Sequence, residues 1–385
     1  MPWKVSDPMT ERMYFVTRLE KGERMTDLCR EFGISRKTGY KFWERFKRQG
    51  VTALADESRA PKRVARKTSE ELEQLLVEAR KAHHTWGGKK LKNVLERQHP
   101  EMKLPSASTV SAVLKRHGLV KERRRRRHPA SRSGPLTAAQ APNEVWAADY
   151  KGQFRLGNRE YCYPLTATDL TSRFILAIEA LDGTDEEQAR AVFEDVFATY
   201  GLPAAIRTDN GTPFASQGLA GLTKLSAWWL RLGIRHERIE PGHPEQNGQH
   251  ERMHRTLKAE TARPARANVL QQQDRFDEFR EEFNEKRPHE ALDMKRPAEV
   301  YNPSERRLEP LPELDYPLHD DVLVVSRAGH LRLPRGRQVF IAHALAGHAV
   351  GLREQVDGKW LVTFANLDLG TYDAGLGTFE PLASS

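Results

Sequence analysis

The sequence predicts a chain of three parts: an all-α N-terminal region, a central α/β domain and a small all-β C-terminal domain. Three observations support this division. Apolar residues recur at helical spacing up to about residue 120, and alternating strand and helix patterns begin near residue 142. Short strand patterns separated by turns then follow a proline-rich segment. At 385 residues the chain is long enough for several domains and at least one large hydrophobic core.

The expected domain boundaries follow these changes in pattern. They define a first helical domain at 1–55, a second at 56–120, a basic linker at 121–141, a core at 142–302, a proline-rich linker at 303–317 and a β domain at 318–385. Prolines make the second linker stiff. The last domain is expected to be a small all-β barrel, with a β-sandwich as the alternative, and its sequence carries no recognisable chemistry.

Basic residues are concentrated in the first third of the chain. Residues 1–132 contain 33 of the 62 Lys and Arg residues but only 16 of the 53 Asp and Glu residues, within a formal net charge of +9. A basic region joined to a mildly acidic remainder indicates a polyanion-binding module attached to a separate functional unit. A solvated basic surface without a ligand is the alternative.

Cysteine content and hydropathy exclude several classes of protein. Only Cys29 and Cys162 are present, too few for a disulfide framework or a cysteine-based zinc site. The N-terminus lacks a signal-peptide pattern, and no apolar run approaches the roughly 20 residues that cross a bilayer. We therefore expect a soluble, cytoplasmic protein without a membrane partner.

Residues 10–49 have the layout of a helix-turn-helix unit. A short second helix over 26–32 is followed by a turn at Gly33 and a third helix from Ser35 to Gln49. One face of the third helix is apolar, and another carries four basic residues: Lys37, Lys41, Arg45 and Arg48. This pattern predicts that the third helix reads the major groove of DNA, although a generic three-helix bundle has the same apolar spacing.

A second helical unit and a run of five arginines complete the N-terminal region. Apolar residues at helical spacing mark helices near residues 72–79, 91–95 and 106–114, so a second unit of the same kind is expected. The arginines that follow are Arg123, Arg124, Arg125, Arg126 and Arg127. This run is compatible with phosphate binding and with a disordered tether, since a flexible arm binds DNA without reading bases.

The central domain is expected to contain a mixed β-sheet covered by helices. Three consecutive strand patterns at 144–154, 160–169 and 173–180 precede a helix at 184–200. Further strands at 204–209 and 234–239 alternate with helices, the last from about 246 to 262. Three antiparallel strands followed by alternating helix and strand are typical of this architecture.

Three carboxylates in this domain are placed to hold divalent metals. Asp149 falls within an apolar strand, Asp209 ends a second strand before an Asn-Gly turn, and Glu251 opens a helical stretch. Two Mg²⁺ or Mn²⁺ ions about 3.5–4 Å apart, held by such oxygens, would support reaction at a phosphodiester. Taken singly, Asp209 is also explained by turn chemistry and Glu251 by an ordinary ion pair with Arg255.

The sequence around these acids resembles the three catalytic blocks of bacterial insertion-sequence transposases in the D-D-E, retroviral-integrase-like group. The matching segments are Trp146–Asp149, Thr208–Phe214 and Pro244–Lys258. A later segment resembles the one that ends that family's core, and it contains Asn284, Arg287, Pro288 and His289, followed by Pro297. The resemblance covers 142–302.

This resemblance implies a fold, a cofactor and a reaction. The core would be ribonuclease-H-like, with two Mg²⁺ (or Mn²⁺) ions held by Asp149, Asp209 and Glu251. The enzyme would cleave double-stranded DNA at inverted-repeat ends and transfer the freed 3′-OH to target DNA within a homo-oligomeric synaptic complex. It would work in the bacterial cytoplasm on the nucleoid, and its N-terminal helices would recognise the repeats.

Residues near the acids receive roles from the same blocks. Asn210, Gly211, Gln246 and Asn247 are expected in the active-site loops. His254, Arg255 and Lys258 share a helix face with Glu251 and are expected to hold DNA phosphates near the metals.

The choice of the third acid requires a decision between two glutamates. A spacing of 35 intervening residues after Asp209, frequent in the wider group, would select Glu245, whereas Glu251 gives 41. We predict Glu251, because the family's glutamate directly precedes the helix that ends in Thr-Leu-Lys. A short insertion around 217–222 explains the longer spacing.

Two other functions match parts of the pattern. A DNA-binding regulator without enzymatic activity would need the helix-turn-helix units alone, and the intact set of three acids argues against it. A ribonuclease-H-type nuclease acting on RNA–DNA hybrids would need the core alone. Two helix-turn-helix units suited to duplex DNA argue against that second function.

Overall fold

The computed structural model describes most of the chain, in two compact units, Met1–Thr68 and Ser69–Ser385. The described residues are 7–57, 68–120, 136–240, 242–311, 313–333, 338–356 and 358–382. Within these ranges, no helix combines the length and the apolar character needed to traverse a bilayer.

The first unit is a three-helix domain. It consists of α1 (Pro8–Glu20), α2 (Met25–Glu31) and α3 (Arg36–Gln49). Ser35 caps α3 by accepting a hydrogen bond from the Thr38 amide at 3.1 Å. Phe15, Leu28 and Phe42 lie in its core. Gly39 lets α3 approach α2 closely, because a Cβ there would lie 2.7 Å from the sulfur of Cys29. The helix-turn-helix layout expected from the sequence is thus present.

The second unit begins with another three-helix domain. Its helices are α4 (Glu70–Ala82), α5 (Gly88–Gln98) and α6 (Ala107–Arg116). Trp86, Leu91 and Leu114 are fully buried between them. Ser69 and Ser106 each accept a hydrogen bond from a backbone amide in the first turn of the helix that follows. Both helix starts therefore have the side-chain caps that their sequences favour.

A six-stranded mixed sheet forms the centre of the core domain. The strands are β1 (Val145–Tyr150), β2 (Phe154–Arg155), β3 (Tyr161–Asp169), β4 (Ile175–Leu181), β5 (Ala205–Thr208) and β6 (Arg235–Arg238). Their order is β2-β3-β1-β5-β6, and β4 also pairs with β3. β3 runs antiparallel to β1 and β4, whereas β5 runs parallel to β1 and β6. The predicted mixed sheet is therefore confirmed.

Helices cover both faces of this sheet. They are α7 (Glu186–Tyr200), α8 (Lys224–Arg231), α9 (Gly248–Thr261) and α10 (Val269–Glu281), which continues into a π-helical turn at Glu282–Lys286. A register shift in the pairing of β3 with β4, between Ala167 and Thr168, interrupts the simple alternation of β4 side chains between the two faces. Leu176 packs with α7 and α8, whereas Ile175 and Ile178 pack with α9 and α10.

Two boundaries in the core differ from the sequence prediction. The strand expected over 144–154 ends at Tyr150, and only the short β2 follows the glycine at 152. Glycine inside a strand weakens pairing, which explains the break. The helix expected from 246 begins at Gly248, after a 3₁₀ turn at Pro244–Asn247.

The C-terminal segment is all-β. Its strands are β7 (Asp321–Val324), β8 (His330–Arg332), β9 (Gln338–Phe340), β10 (Ala349–Val356), β11 (Lys359–Phe364), β12 (Leu367–Asp373) and β13 (Thr378–Pro381). Five form an antiparallel sheet in the order β13-β12-β11-β10-β7, and β8 pairs with β9. Closure into a barrel stays a prediction, since the described pairs leave this sheet with two ends.

The proline-rich segment before this domain packs on the core. Arg306 donates hydrogen bonds to the carbonyl oxygens of Pro203 at 2.7 Å and Leu232 at 2.8 Å. The Ser304 hydroxyl donates to the Leu202 carbonyl at 2.7 Å. At least the first part of this segment is therefore anchored through backbone carbonyls.

Both cysteines of the chain are free and buried. Cys29 lies in the first three-helix domain and Cys162 in β3. Burial raises the pKa of the Cys29 thiol and raises that of Cys162 to about 12. Both side chains therefore act as small apolar groups in their cores.

Asn284 fastens the end of α10 to the sheet. Its side-chain oxygen accepts a hydrogen bond from the Ile175 amide at 2.8 Å. Its side-chain amide donates to the Ile175 carbonyl at 2.9 Å. Asn284 is 4% exposed, so water does not replace these partners.

We expect Asn284→Ala to lower the free energy of unfolding by about 1–3 kcal/mol, because it leaves two buried backbone groups without partners. Urea denaturation followed by circular dichroism measures this change. The matched control is Asn302→Ala, which removes an exposed side chain of the same kind. Equal stability of the two variants would contradict the role given to Asn284.

Candidate metal centre

Asp149 and Asp209 lie at the same edge of the sheet. β1 and β5 are parallel neighbours in a register that pairs Ala147 with Arg207. The same register continued by two residues puts Asp149 level with Asp209. Asp209 directly follows β5, and its carboxylate accepts a hydrogen bond from the Gly211 amide at 3.0 Å. The local turn therefore orients the second carboxylate.

Helix α9 brings the third carboxylate to this edge. Glu251 lies in the first turn of α9 and is exposed. Met253 and Leu257 of the same helix are buried against the sheet. The helix therefore rests on the sheet through these two side chains while Glu251 stays open to solvent.

Asp209 and Glu251 both lie close enough to Asp149 for their charges to act on its carboxylate. Burial, followed by the charge of Asp209 and then more weakly that of Glu251, raises the pKa of Asp149 to about 7. The charge of Lys151 acts in the opposite direction. A half-buried carboxylate beside two others favours a bound cation, which would relieve their repulsion.

A buried hydrogen-bond network joins β1, β3 and α9. The Thr166 Oγ1 lies 2.9 Å from the Asp149 carbonyl oxygen, which only accepts hydrogen bonds, so the hydroxyl donates to it. The lone pairs of Oγ1 then accept from Nε2 of His250 at 2.8 Å and Nε2 of His254 at 2.7 Å. Both imidazole rings therefore carry hydrogen on Nε2.

This tautomer leaves the two Nδ1 atoms in different surroundings. Nδ1 of His250 accepts a hydrogen bond from the Thr168 hydroxyl at 2.8 Å. Nδ1 of His254 has no such bond within the described part of the chain and faces Asp149 Oδ2 at 3.6 Å. A nitrogen lone pair opposite a carboxylate oxygen is unfavourable unless a proton or a metal ion lies between them.

The histidines are neutral in this arrangement. Burial lowers the pKa of His250 to about 3, and burial with the neighbouring His250 lowers the pKa of His254 well below its usual range. Possible ligand atoms of Asp149, His250 and His254 all lie within 4.8 Å of one another. Sequence reasoning missed this group, although two histidines spaced by four residues on one helix indicate a shared face.

The residues expected in the active-site loops mostly brace the backbone. The Asn210 side-chain amide donates to the Ile239 carbonyl at 2.7 Å, and the Gln246 side-chain oxygen accepts from the Glu240 amide at 2.8 Å. Asn247 is 4% exposed, and its side-chain oxygen has no partner among the described residues. Glu245, the alternative third acid, lies in the turn before α9, and its side chain is outside the described residues.

The expected DNA contacts divide into exposed and buried residues. Arg255 and Lys258 of α9 are exposed. His254 is 4% exposed and bonded to Thr166, so the structure corrects its expected role: its side chain faces the sheet and is not available to DNA. The arginine run Arg123–Arg127 lies outside the described residues.

The basic face of α3 is largely open. Lys37, Lys41 and Arg48 are exposed, and Arg48 lies 3.9 Å from Glu44 of the same helix, whereas Arg45 forms a shorter ion pair with Glu57 at 2.8 Å. Arg45 is therefore the most neutralised of the four predicted cations, and the other three stay open to DNA phosphates.

Models of known protein families match the N-terminal helical domains and the core domain of this chain. Two integrase core domain models match residues 139–244 and 232–297. A homeodomain-like domain model matches residues 38–114, and a helix-turn-helix domain model matches residues 11–62.

Similar proteins come from bacterial insertion elements and from retroviruses. The insertion element IS476 uncharacterized 39.2 kDa protein of Xanthomonas euvesicatoria is 27% identical over 227 residues, 58% of this chain and 62% of that protein. The insertion element IS407 uncharacterized 31.7 kDa protein of Burkholderia multivorans is 27% identical over 241 residues, 60% of this chain and 80% of that protein. The Gag-Pol polyprotein of baboon endogenous virus is 29% identical over 180 residues, 46% of this chain and 10% of the polyprotein. The chain thus spans less than two thirds of the first and third of these relatives.

Solved structures that resemble the chain include two from retroviral integration. The HTLV-2 integrase catalytic core domain in complex with magnesium has a TM-score of 0.34 and 15% identity, covering 42% of this chain and 99% of that one. The simian T-cell lymphotropic virus intasome in complex with PP2A regulatory subunit B56 gamma has a TM-score of 0.38 and 16% identity, covering 76% and 97%. Scores this low support no further argument.

We expect Thr166→Val to lower the free energy of unfolding by about 1–3 kcal/mol, because the buried Nε2 groups of His250 and His254 both lose their acceptor. Urea denaturation measures the change. The control is Thr256→Val on α9, whose exposed hydroxyl donates to the Arg252 carbonyl of its own helix. A Thr166 variant as stable as the control would refute the network as a structural element.

Proposed function

We propose a specific reaction for this chain, because it belongs to the insertion-sequence transposases of the retroviral-integrase-like group. The enzymes of this group are polynucleotidyl transferases of DNA transposition and integration. The protein cleaves DNA at the inverted-repeat ends of its element and joins the freed 3′-OH to target DNA. The observation that best supports this proposal is the placement of Asp149 and Asp209 on neighbouring parallel strands, with Glu251 in the first turn of the helix that bonds to Thr166. The raised pKa of Asp149, caused by burial and then by the charges of Asp209 and Glu251, agrees with this placement.

The three carboxylates would hold two Mg²⁺ or Mn²⁺ ions, which supply an activated nucleophile and a stabilised leaving oxygen. Asp209 is oriented for this by the Gly211 amide. The backbone of Asp149 is held by the Thr166 hydroxyl. Oxygen ligands at the ends of two parallel strands and on a packed helix suit hard divalent cations.

Cationic side chains would hold the DNA during this reaction. Arg255 and Lys258 project from the helix that carries Glu251, so they lie beside the phosphodiester to be cleaved. Lys37, Lys41 and Arg48 of α3 would contact the phosphates of the inverted repeat. Because two ends must be joined to one target, the active form is a homo-oligomer on nucleoid DNA.

We expect Asp149→Asn, Asp209→Asn and Glu251→Gln each to reduce strand transfer by more than about 100-fold. Loss of a group that only hydrogen-bonds to a metal ligand already lowers metal affinity or activity about 10–100-fold, and these changes remove the proposed ligands themselves. The assay uses purified full-length protein, Mg²⁺ or Mn²⁺, and duplexes from the DNA that flanks its own gene. Glu245→Gln is the matched control and should keep activity.

Other outcomes would change the proposal in defined ways. Loss of activity in Glu245→Gln, with survival of Glu251→Gln, would move the third ligand to the turn before α9. A wild-type protein that binds these duplexes tightly but shows no metal-dependent reaction would replace the transposase with a DNA-binding regulator.

A further inference from the structure

The second helical domain contacts the core through charged and polar side chains. His83 Nδ1 lies 2.8 Å from a carboxylate oxygen of Glu282, and Lys89 lies 3.0 Å from Glu290. The remaining contacts of this kind join Thr85 to Glu260 and Arg97 to Glu299. These contacts occupy four acidic residues on this side of the core.

A cavity of about 620 Å³ lies beside this contact. It is bounded by the start of α5, the side of α9, the turn between β3 and β4, and the segment that follows α10. Five cationic side chains line it: Lys90, Arg173, Arg252, Arg255 and Arg287. They come from four separate segments of the chain, so their convergence is a product of the fold.

Four of these cations form no ion pair and no side-chain hydrogen bond within the described ranges: Lys90, Arg173, Arg252 and Arg255. Arg287 is 8% exposed and reaches Glu260 at 3.3 Å, but its Nε has no partner among the described residues. The cavity therefore carries a local excess of positive charge.

The two acids that line the cavity are already engaged. The Asp169 carboxylate accepts hydrogen bonds from the Asn143 amide and from the amide and hydroxyl of Ser172, all at 2.6–2.7 Å. Glu290 pairs with Lys89, as described above. Neither acid is placed to neutralise the whole set of cations.

The cations act on one another as well. Burial and the charge of Arg287 lower the pKa of Lys90 to about 7, despite the opposing charges of Glu290 and Glu260. Burial and the charge of Arg252 lower the pKa of Arg173, which Asp169 opposes. Burial, Lys90, Arg287 and Arg173 together lower the pKa of His289 to about 3. Partly desolvated like charges are unfavourable unless an anion joins them.

The cavity adjoins the metal centre. Gln249 and His250 of α9 are among its lining residues. His250 shares the Thr166 hydroxyl that also bonds the Asp149 carbonyl. Glu251 lies on one flank of α9, and an anion in the cavity would lie against the neighbouring flank of the same helix.

We propose that this cavity is a DNA-contact site in which Lys90, Arg173 and Arg252 bind the backbone phosphates of a duplex held at the metal centre. The proposal rests on the proposed function. Phosphates are the anions that DNA presents at regular intervals, and contacts to them carry no base information. The site therefore contributes affinity and position without sequence preference.

The test replaces all three cations in the full-length protein: Lys90→Gln, Arg173→Gln and Arg252→Gln. The matched control replaces three exposed cations that do not line the cavity, with the same loss of charge: Arg159→Gln, Arg266→Gln and Arg307→Gln. Fluorescence anisotropy measures binding of a duplex from the DNA flanking the gene and of a duplex of unrelated sequence, over a range of salt concentrations in EDTA.

We expect the cavity variant to bind both duplexes on the order of 10–100-fold more weakly near physiological salt. The slope of log K against log salt should fall by about 2–3, roughly 0.9 per lost phosphate contact. The control should keep the wild-type slope within about one unit. Loss of affinity for only one of the two duplexes would contradict a site that binds phosphates without sequence preference.

Two other results would also overturn the proposal. One is a cavity variant with the wild-type slope, and the other is an equal fall in the cavity variant and the control. Because EDTA removes divalent metal, failure of strand transfer leaves these binding results valid, so the proposed function and this site fail separately.

A structural role is distinguished by stability and by charge. Without DNA, the cavity variant should melt at a Tm no lower than wild type, because it removes partly buried like charges that form no ion pair within the described ranges. The charge-retaining set Lys90→Arg, Arg173→Lys and Arg252→Lys should restore the salt slope. A lower Tm together with a slope that this set does not restore would also overturn the proposal.

Discussion

The position of α9 depends on the hydroxyl of Thr166. The hydroxyl donates to the backbone carbonyl of Asp149, whose carboxylate is the first of the proposed metal ligands, and accepts from two imidazole rings one helical turn apart. The helix is thereby held at a fixed height and rotation over the sheet. Glu251 lies on one flank of α9, and Arg252 and Arg255 lie on the next. The three hydrogen bonds of the Thr166 hydroxyl position both flanks, so the candidate metal centre and the cationic cavity depend on the same contact.

Neutral histidines suit this support better than charged ones. Burial lowers the pKa of both rings, so each keeps one donor and one acceptor at neutral pH. A second proton on His250 would turn the Nδ1 that accepts from Thr168 into a donor, and this hydroxyl would no longer match it. The apolar contacts of Met253 and Leu257 supply burial, whereas the directional bonds set the rotation.

Local pattern was sufficient to predict much of this fold. Apolar spacing indicated both three-helix domains, and apolar runs placed Asp149 within one strand and Asp209 at the end of another, before a turn. The Thr166 network was not predictable in this way, because it joins residues more than 80 positions apart and its threonine lies within an apolar strand. Helical spacing put His254 beside Glu251 but could not tell which flank the sheet covers. β12 contains Asp368 and Gly370, which disfavour strands, and forms through pairing with β11 and β13.

Burial of the two cysteine thiols makes site-specific fluorescent labelling of this protein practical. Cys29 and Cys162 are the only cysteines in the chain, and each has a raised pKa, which keeps the reactive thiolate scarce. A cysteine introduced at an exposed position would therefore react with a maleimide dye far faster than either native thiol. Fluorescent labels placed in this way would report distances within a DNA complex without removing any native residue from the folded cores.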